Sequence, residues 1–210
     1  MDGVLFDTER VALESWLEVN KTWKIPSLKE DYPLFIGRNL QDGKALTKEL
    51  YGQDFDSERF FADCRQCLYD KLNTEGVPVK EGTKQILSYL KERHVPVAIC
   101  SGTDSQRVRK NLEETGLVSY FDAIIGGDKI QHGKPDPDCY LIACDALGEL
   151  PENCMGIEDS PNGIRASRAA GLFTVMVPDL APATEELRAL SDRVDDSLLT
   201  LLDFVKTLSL

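Results

Sequence analysis

The sequence lacks a long apolar run and a cluster of basic residues. Its longest apolar segments, VPVAIC and FTVMVP, are strand-sized and far from the roughly 18 residues of a membrane-spanning helix. Lys and Arg total 24 against 36 Asp and Glu, which gives a net charge of −12. This charge argues against nucleic acid and anionic membranes as partners. A small anionic substrate stays open, since a pocket can be locally positive in an acidic protein.

Cysteine pairs with metal-site spacing are also scarce. The one close pair, Cys64 and Cys67, lies in a segment whose apolar residues repeat at helical spacing, and no second pair has the spacing of zinc ligands. Cys100 and Cys154 lie in apolar strand-like runs, where a free thiol behaves as a small core residue. We therefore predict reduced thiols and a cytoplasmic protein.

Hydrophobic periodicity divides the chain into a helical part and an alternating part. Between residues 8 and 76, apolar positions recur every three or four residues, which predicts helices. Beyond residue 77, four nearly continuous apolar runs alternate with helical segments, a pattern typical of a parallel sheet covered on both faces. The predicted fold class is α/β. Residues 1–7 and 77–210 would form a Rossmann-like parallel-sheet core, and residues 8–76 an inserted all-helical cap domain.

Residues able to bind anions or cations follow three of the predicted strands. These are Ser101 and Gly102 after VPVAIC, Lys134 in the GKPDP loop, and Glu158 and Asp159 at the end of CMGIE. Ligands of such folds bind beyond the carboxyl ends of the strands. A hydroxyl at a helix start and a loop lysine suit an anion, and adjacent carboxylates suit Mg²⁺. Each also fits a simpler role as a helix cap or a solvated side chain, and both interpretations stay open here.

Four motifs occur in a fixed order over essentially the whole chain: MDGVLFDTE, Ser-Gly-Thr after an apolar strand, GKPDP and GIEDSPNGI. In this order they resemble the haloacid dehalogenase superfamily, within it the branch of small-molecule phosphatases and β-phosphoglucomutase-like enzymes. The resemblance implies a Mg²⁺-dependent phosphatase acting on a small phosphorylated metabolite such as a sugar phosphate. It also implies that an aspartate attacks phosphorus and forms an aspartyl-phosphate.

The resemblance implies roles for four residues of the core. Asp2 matches the acid that protonates the leaving group, later activates water, and offers its backbone carbonyl to Mg²⁺. Ser101 and the Gly102 N–H match the groups that hold the transferring phosphoryl group. Lys134 matches the lysine that neutralises both the nucleophile and the phosphate.

Three further residues complete the predicted site. Glu158 and Asp159 match the acidic pair on Mg²⁺. Arg38, in PLFIGRNL, follows a glycine where caps of this family face the site, which makes it a candidate for binding a second anionic group. A solvated arginine without a role explains the same pattern equally well.

The resemblance places the nucleophilic aspartate immediately before Met1, at the end of an apolar central strand. Without that strand, its neighbours would keep unpaired backbone groups that cost about 1–3 kcal/mol each, against a total stability of about 5–15 kcal/mol. We therefore expect about five to ten more residues upstream, apolar and ending in Asp. A chain that begins at Met1 is expected to fold poorly and to turn over almost no substrate.

Other functions stay open. A sugar-phosphate mutase of the same branch is expected to carry a histidine four residues after Thr8, where this chain has Ala12, so hydrolysis is favoured. A non-catalytic phosphometabolite-binding protein is the alternative if the nucleophile is missing. A dehalogenase is disfavoured by Asp2 and the later acidic pair, and a signalling receiver domain is much shorter and has no cap. We expect a monomer.

Overall fold

The computed structural model describes residues 1–38 and 40–209. Its helices are α1 (Thr8–Trp23), α2 (Leu28–Asp31), α3 (Leu40–Tyr51), α4 (Ser57–Glu75), α5 (Thr83–Glu92), α6 (Ser105–Glu114), α7 (Asp138–Leu147), α8 (Pro161–Ala169), α9 (Glu185–Leu190) and α10 (Leu198–Val205). Its strands are β1 (Ala98–Cys100), β2 (Ala123–Ile125), β3 (Met155–Glu158), β4 (Phe173–Met176) and β5 (Arg193–Val194). None of these helices combines the length and the apolarity needed to cross a membrane.

The first four helices pack around aromatic side chains. Trp16 of α1 meets Phe60 and Phe61 of α4 edge-on, with ring centroids 5.2 and 5.4 Å apart. Such edge-to-face pairs add to the stabilisation that burial alone gives. Cys64 and Cys67 both lie in α4, and Cys64 is 2% exposed in the core that contains Phe60. The prediction that the two cysteines lie in a helix is therefore confirmed.

The helical part also differs from its prediction. Pro26 and Pro33 predict a loop in the sequence, but the segment contains the one-turn helix α2, whose Leu28 is 1% exposed. One turn is too short to show periodicity in a sequence. The apolar spacing of NLQDGKALTKEL predicts a helix. The structure has α3 from Leu40 onwards, and Asn39 lies outside the described residues.

The second part of the chain is built on parallel strands. β1 pairs with β2, and β3, β4 and β5 form a second sheet in that order. Helix α7 packs against β1 and β2, while α8 packs against β3 and β4. The predicted α/β class with parallel strands is confirmed. Cys100 ends β1 and Glu158 ends β3, so the segments that follow them carry the predicted site residues.

The strands are shorter than their apolar runs. VPVAIC pairs only over Ala98–Cys100, because Pro96 has no N–H to offer a neighbouring strand. The prediction missed β5, which has two residues, and α9, which has six. Both are too short for a periodic signal.

An apolar cavity of about 650 Å³ lies between the two sheets. It is lined by all of β1, by Met155–Ile157 of β3, and by Met1 and Val4. β1 and β3 are each the terminal strand of their sheet, and neighbouring strands of one sheet lie about 4.8 Å apart. The core therefore has two edge strands that border the same apolar space.

Candidate active site

A pocket of about 770 Å³ opens where the carboxyl ends of the strands meet the helical part. Residues of α4 supply part of the opposite wall. All seven site residues predicted from the sequence line this pocket: Asp2, Arg38, Ser101, Gly102, Lys134, Glu158 and Asp159. The structure therefore brings together residues up to 157 positions apart in the chain, while the chemical role of each stays a prediction.

Asp2 is surrounded by hydroxyl groups. Thr8 Oγ1 donates to Asp2 Oδ1 at 2.6 Å. Ser101 Oγ and Thr103 Oγ1 donate to Asp2 Oδ2 at 3.3 and 3.2 Å. The carboxylate of the first motif is thus linked directly to the serine after β1. Hydroxyl donors fix its orientation and leave it able to exchange a proton with a group in the pocket.

The loop after β1 holds Ser101 in place. Ser101 N–H donates to the Ile125 carbonyl at 2.9 Å, and Ser101 Oγ accepts from Thr103 N–H at 3.1 Å. Gly102 lies exposed at the turn. A Cβ at Gly127 would stand 2.4 Å from the Gly102 carbonyl oxygen, so the loops after β1 and β2 can approach only because residue 127 has no side chain.

Lys134 and Glu158 form a buried ion pair on the floor of the pocket. Their side chains are 16% and 5% exposed. Tyr140 OH also donates to Glu158 Oε1, Ser160 Oγ donates to Oε2 at 3.3 Å, and Lys134 Nζ donates to the Cys100 carbonyl at 3.3 Å. With several hydrogen bonds on one carboxylate, the pair meets the condition under which buried charges are tolerated.

The pKa values of this pair shift in opposite directions. Burial alone would raise the pKa of Glu158, but the charge of Lys134 and the hydrogen bonds to the carboxylate outweigh it, so the pKa lies below its usual range. Burial alone would lower the pKa of Lys134, and the charge of Glu158 outweighs that effect and raises it. Both groups are therefore ionised at neutral pH.

Asp159 lies against the backbone of the first motif. A Cβ at Gly3 would stand 2.0 Å from Asp159 Oδ2, so only glycine allows this approach, and Gly3 also has a φ of +72°. Asp159 is 4% exposed. Burial, followed by the charges of Glu158 and Glu9, raises the pKa of Asp159 well above its usual range.

The donor chemistry next to Gly3 fits Mg²⁺. Asp2 and Asp159 flank this glycine and offer oxygen atoms, which Mg²⁺ prefers. Glu158 belongs to the predicted set, but Lys134, Tyr140 and Ser160 donate to its oxygens. Among the described residues, the group of three whose ligand atoms all lie within 4.8 Å of one another is instead His132, Asp136 and Asp138.

Arg38 reaches the pocket from the helical part. It is exposed, and its Nε donates to the Leu34 carbonyl at 2.7 Å. The loop that carries it is fixed to the core, because Asn162 Nδ2 donates to the Gly37 carbonyl at 2.8 Å. Arg38 therefore lines the pocket, and its role in binding an anion stays a prediction.

Several residues at the site were missed by the sequence analysis. Tyr140 resembles a core residue of α7, and only the fold shows that its hydroxyl meets Glu158. Glu9 looks like an ordinary acid in the first turn of α1. Burial, with Asp2 and Asp179 nearby, raises its pKa to about 7. The available signal for Glu9 was its position at the end of the first motif, MDGVLFDTE.

Known proteins of similar sequence are hydrolases and phosphatases. Residues 1–171 match the haloacid dehalogenase-like hydrolase family. The phosphorylated carbohydrates phosphatase of Thermotoga maritima is 28% identical over 172 residues, covering 82% of this chain and 79% of that protein. The fructose-1-phosphate phosphatase YqaB of Escherichia coli is 30% identical over 182 residues, covering 84% of this chain and 93% of that protein.

A solved structure has the same fold. The β-phosphoglucomutase of Clostridium difficile superimposes with a TM-score of 0.80 at 20% identity, covering 98% of this chain and 92% of that one. The residues that match the family extend from the first motif through α8 and so include every predicted site residue. As the order of its four motifs predicted, this chain belongs to the haloacid dehalogenase-like hydrolases.

Proposed function

We propose that this protein is a Mg²⁺-dependent phosphatase that hydrolyses a small phosphorylated metabolite, in particular a sugar phosphate. The observation that carries the proposal is the convergence of Asp2, Ser101, Lys134 and Asp159 on one pocket. Relatives named for phosphorylated carbohydrates and fructose 1-phosphate support the substrate class. The 770 Å³ pocket is within the usual size range for small ligands.

In this proposal the floor of the pocket binds the phosphoryl group. Ser101 Oγ and the Gly102 N–H donate to its oxygens, and the ammonium of Lys134 balances its negative charge. Phosphoryl transfer depends on positioning and charge neutralisation, which these groups supply. Mg²⁺ held by Asp159 and Asp2 would neutralise further charge on the phosphate when bound.

Asp2 is the proposed acid and base. When the P–O bond to the leaving group breaks, the Asp2 carboxyl gives its proton to the departing alcohol oxygen. The Asp2 carboxylate then takes a proton from water as that water attacks the phosphorylated enzyme and releases inorganic phosphate. The hydroxyls of Thr8, Ser101 and Thr103 hold the carboxyl in one orientation for both steps.

The proposed nucleophile is an aspartate immediately upstream of Met1. Met1 lines both the active-site pocket and the apolar cavity between the sheets. An apolar strand seated between β1 and β3 would pair with two edge strands and end beside Asp2. Its last residue would then face the phosphoryl group bound by Ser101 and Lys134.

The test compares the 210-residue chain with a form extended at its amino end by an apolar strand ending in Asp. Both are assayed with p-nitrophenyl phosphate and a sugar-phosphate panel, with Mg²⁺ and with EDTA. We expect hydrolysis only by the extended form with Mg²⁺, and none when its added Asp is replaced by Asn. Hydrolysis unaffected by that replacement, or by EDTA, would contradict the proposal.

Two other functions are separated by the same assay. A mutase would convert one sugar monophosphate into its isomer without releasing phosphate; Ala12 in place of the expected histidine favours release. A binding protein would retain phosphate binding and hydrolyse nothing in either form. A cytoplasmic location and a monomeric state remain predictions from the sequence.

A further inference from the structure

The wall of the pocket that α6 and α4 form contains an arginine held by two neighbours. Arg107 of α6 lines the pocket together with Arg65 and Tyr69 of α4. Its guanidinium lies over the Tyr69 ring, with Cζ 4.4 Å from the centroid. Its Nη1 donates to Asn73 Oδ1 at 3.3 Å. The side chain is therefore held between the core and the helical part.

Two further N–H donors of Arg107 have no partner among residues 1–38 and 40–209. Nε and Nη2 are buried, and no described residue accepts a hydrogen bond from them. One turn further along α6, Asn111 is 2% exposed and its Oδ1 is also buried without a described partner. A buried charged donor left unpaired is more costly than a neutral one. An acidic group that accepts from Nε and Nη2 would remove this cost.

The position of Arg107 suits the far end of a substrate. Arg107 and Lys134 line the same pocket, one on the wall formed with α4 and the other on the floor. A phosphoryl group held at Ser101 and Lys134 leaves the other half of the molecule free to extend toward α4. Guanidinium groups bind carboxylate and phosphate oxygens in a two-pronged geometry that an ammonium does not reproduce.

We propose that Arg107, with Arg65 as a second cation on α4, binds an acidic group on the leaving-group half of the substrate. Resting on the proposed phosphatase function, this inference narrows the substrate class to phosphate esters that carry a second phosphate or a carboxylate. Asn111 Oδ1 accepts from a hydroxyl of the same ligand. Arg107 is then the residue that sets specificity.

The experiment uses substrate pairs that differ in one acidic group. Fructose 1,6-bisphosphate is compared with fructose 6-phosphate, and 3-phosphoglycerate with glycerol 3-phosphate. The first pair tests a second phosphate and the second pair a carboxylate, so the two arms identify which group is bound. The extended enzyme is assayed for kcat/KM with Mg²⁺, and binding of each compound is measured by calorimetry without Mg²⁺.

The expected result is a preference for the acidic member of one pair by about tenfold to a hundredfold, in both kcat/KM and affinity. Arg107→Met keeps a long unbranched side chain beside Tyr69 but removes the charge, and it is expected to abolish this preference, mainly through KM. Arg107→Lys should restore part of it. If the unsubstituted enzyme has the same kcat/KM and the same affinity for both members of each pair, the inference is overturned.

Lys110→Met is the matched control. Lys110 lies one turn from Arg107, donates to the same Asn73 Oδ1 at 2.8 Å, and is not among the residues that line the pocket. It should keep the preference, so an equal loss in both variants would assign the effect to the α6–α4 contact and overturn the inference. Arg107→Gln, which keeps polarity, serves if Arg107→Met does not fold.

Failure of the inference and failure of the proposed function are distinguishable. Hydrolysis of all four compounds without preference would leave the phosphatase proposal intact and reject the role of Arg107. An affinity difference that depends on Arg107, without hydrolysis of any compound, would support the anion site and reject the phosphatase.

Discussion

The floor of the pocket, with Asp2, Lys134 and Glu158, and its helical wall, with Arg38 and Arg107, differ in how their charged groups are paired. On the floor, Lys134 pairs with Glu158, and three hydroxyls donate to Asp2. On the wall, Arg107 keeps two N–H groups without a described partner, and Arg38 is exposed. These three floor groups are paired within the protein, whereas two donors of Arg107 on the wall have no partner among the described residues.

In the proposed function, this difference separates the groups that carry out the reaction from the groups that select the substrate. Groups that stabilise a transition state act best when their orientation is fixed in advance, since no reorganisation is then needed during the reaction. Groups that discriminate between substrates are more selective when no protein group pairs with them, because a ligand that lacks the matching group leaves their hydrogen bonds unsatisfied. We therefore expect floor substitutions to affect stability and rate, and wall substitutions to affect the choice of substrate.

The largest effect is expected from breaking the floor ion pair. Lys134→Met leaves the Glu158 carboxylate buried without its counter-charge and should lower the free energy of unfolding by about 3–5 kcal/mol. Urea unfolding measures this loss. Lys206→Ala removes an exposed pair with Asp203 and should cost at most about 1 kcal/mol. A loss at Lys134 no larger than this control would show that the floor pair does not stabilise the fold.

The next effect concerns the rate. Asp2→Asn in the extended enzyme keeps the size of the side chain but removes the proton donor, so kcat should fall by about 10²–10⁴-fold with little change in KM. Steady-state kinetics on p-nitrophenyl phosphate measures it. Asp7→Asn, in the same motif but paired with Arg10 outside the pocket, should keep the rate. Equal rates for Asp2→Asn and the unsubstituted enzyme would exclude Asp2 as the acid.

A smaller effect is expected from crowding the floor. A Cβ at Gly163 would stand 1.9 Å from Glu158 Oε2, so Gly163→Ala must displace that carboxylate and should cost about 1–3 kcal/mol of stability. Gly102→Ala is the comparison, because a Cβ there meets no atom within 4 Å, and it should change stability by less than about 0.5 kcal/mol. Thermal unfolding of both variants decides whether Gly163 is required by Glu158.

The smallest effect is a pH dependence from Glu9. Burial, with Asp2 and Asp179 nearby, raises its pKa from 4.5 to about 7. An acid whose pKa is raised by folding stabilises the folded state below its unfolded pKa, and this contribution is lost as pH rises through the folded value. In metal-free buffer, Glu9→Gln should therefore lose less stability than the unsubstituted chain between pH 5 and pH 8. Parallel urea-unfolding curves at both pH values would contradict this.

The sequence predicted the floor better than the wall. Parallel strands bring their carboxyl ends to one edge, so residues just after the predicted strands were candidates for one site, and the order of the four motifs then implied their roles. The role of Arg107 could not be predicted in this way. This residue lies on a mostly polar helix and looks solvated until α4 packs over it, and that contact joins residues 38 positions apart. Tyr140 was missed for a similar reason, since its partner Glu158 is 18 positions away.

The most direct test of the account is a crystal structure of the extended chain with Mg²⁺ and vanadate, an analogue of the transferring phosphoryl group. We predict vanadate in contact with Ser101 Oγ, the Gly102 N–H and Lys134 Nζ, and Mg²⁺ on the Asp159 carboxylate. Vanadate bound elsewhere, with Lys134 and Ser101 making no contact to it, would contradict the central claim that the strand ends of this protein form a phosphoryl-transfer site.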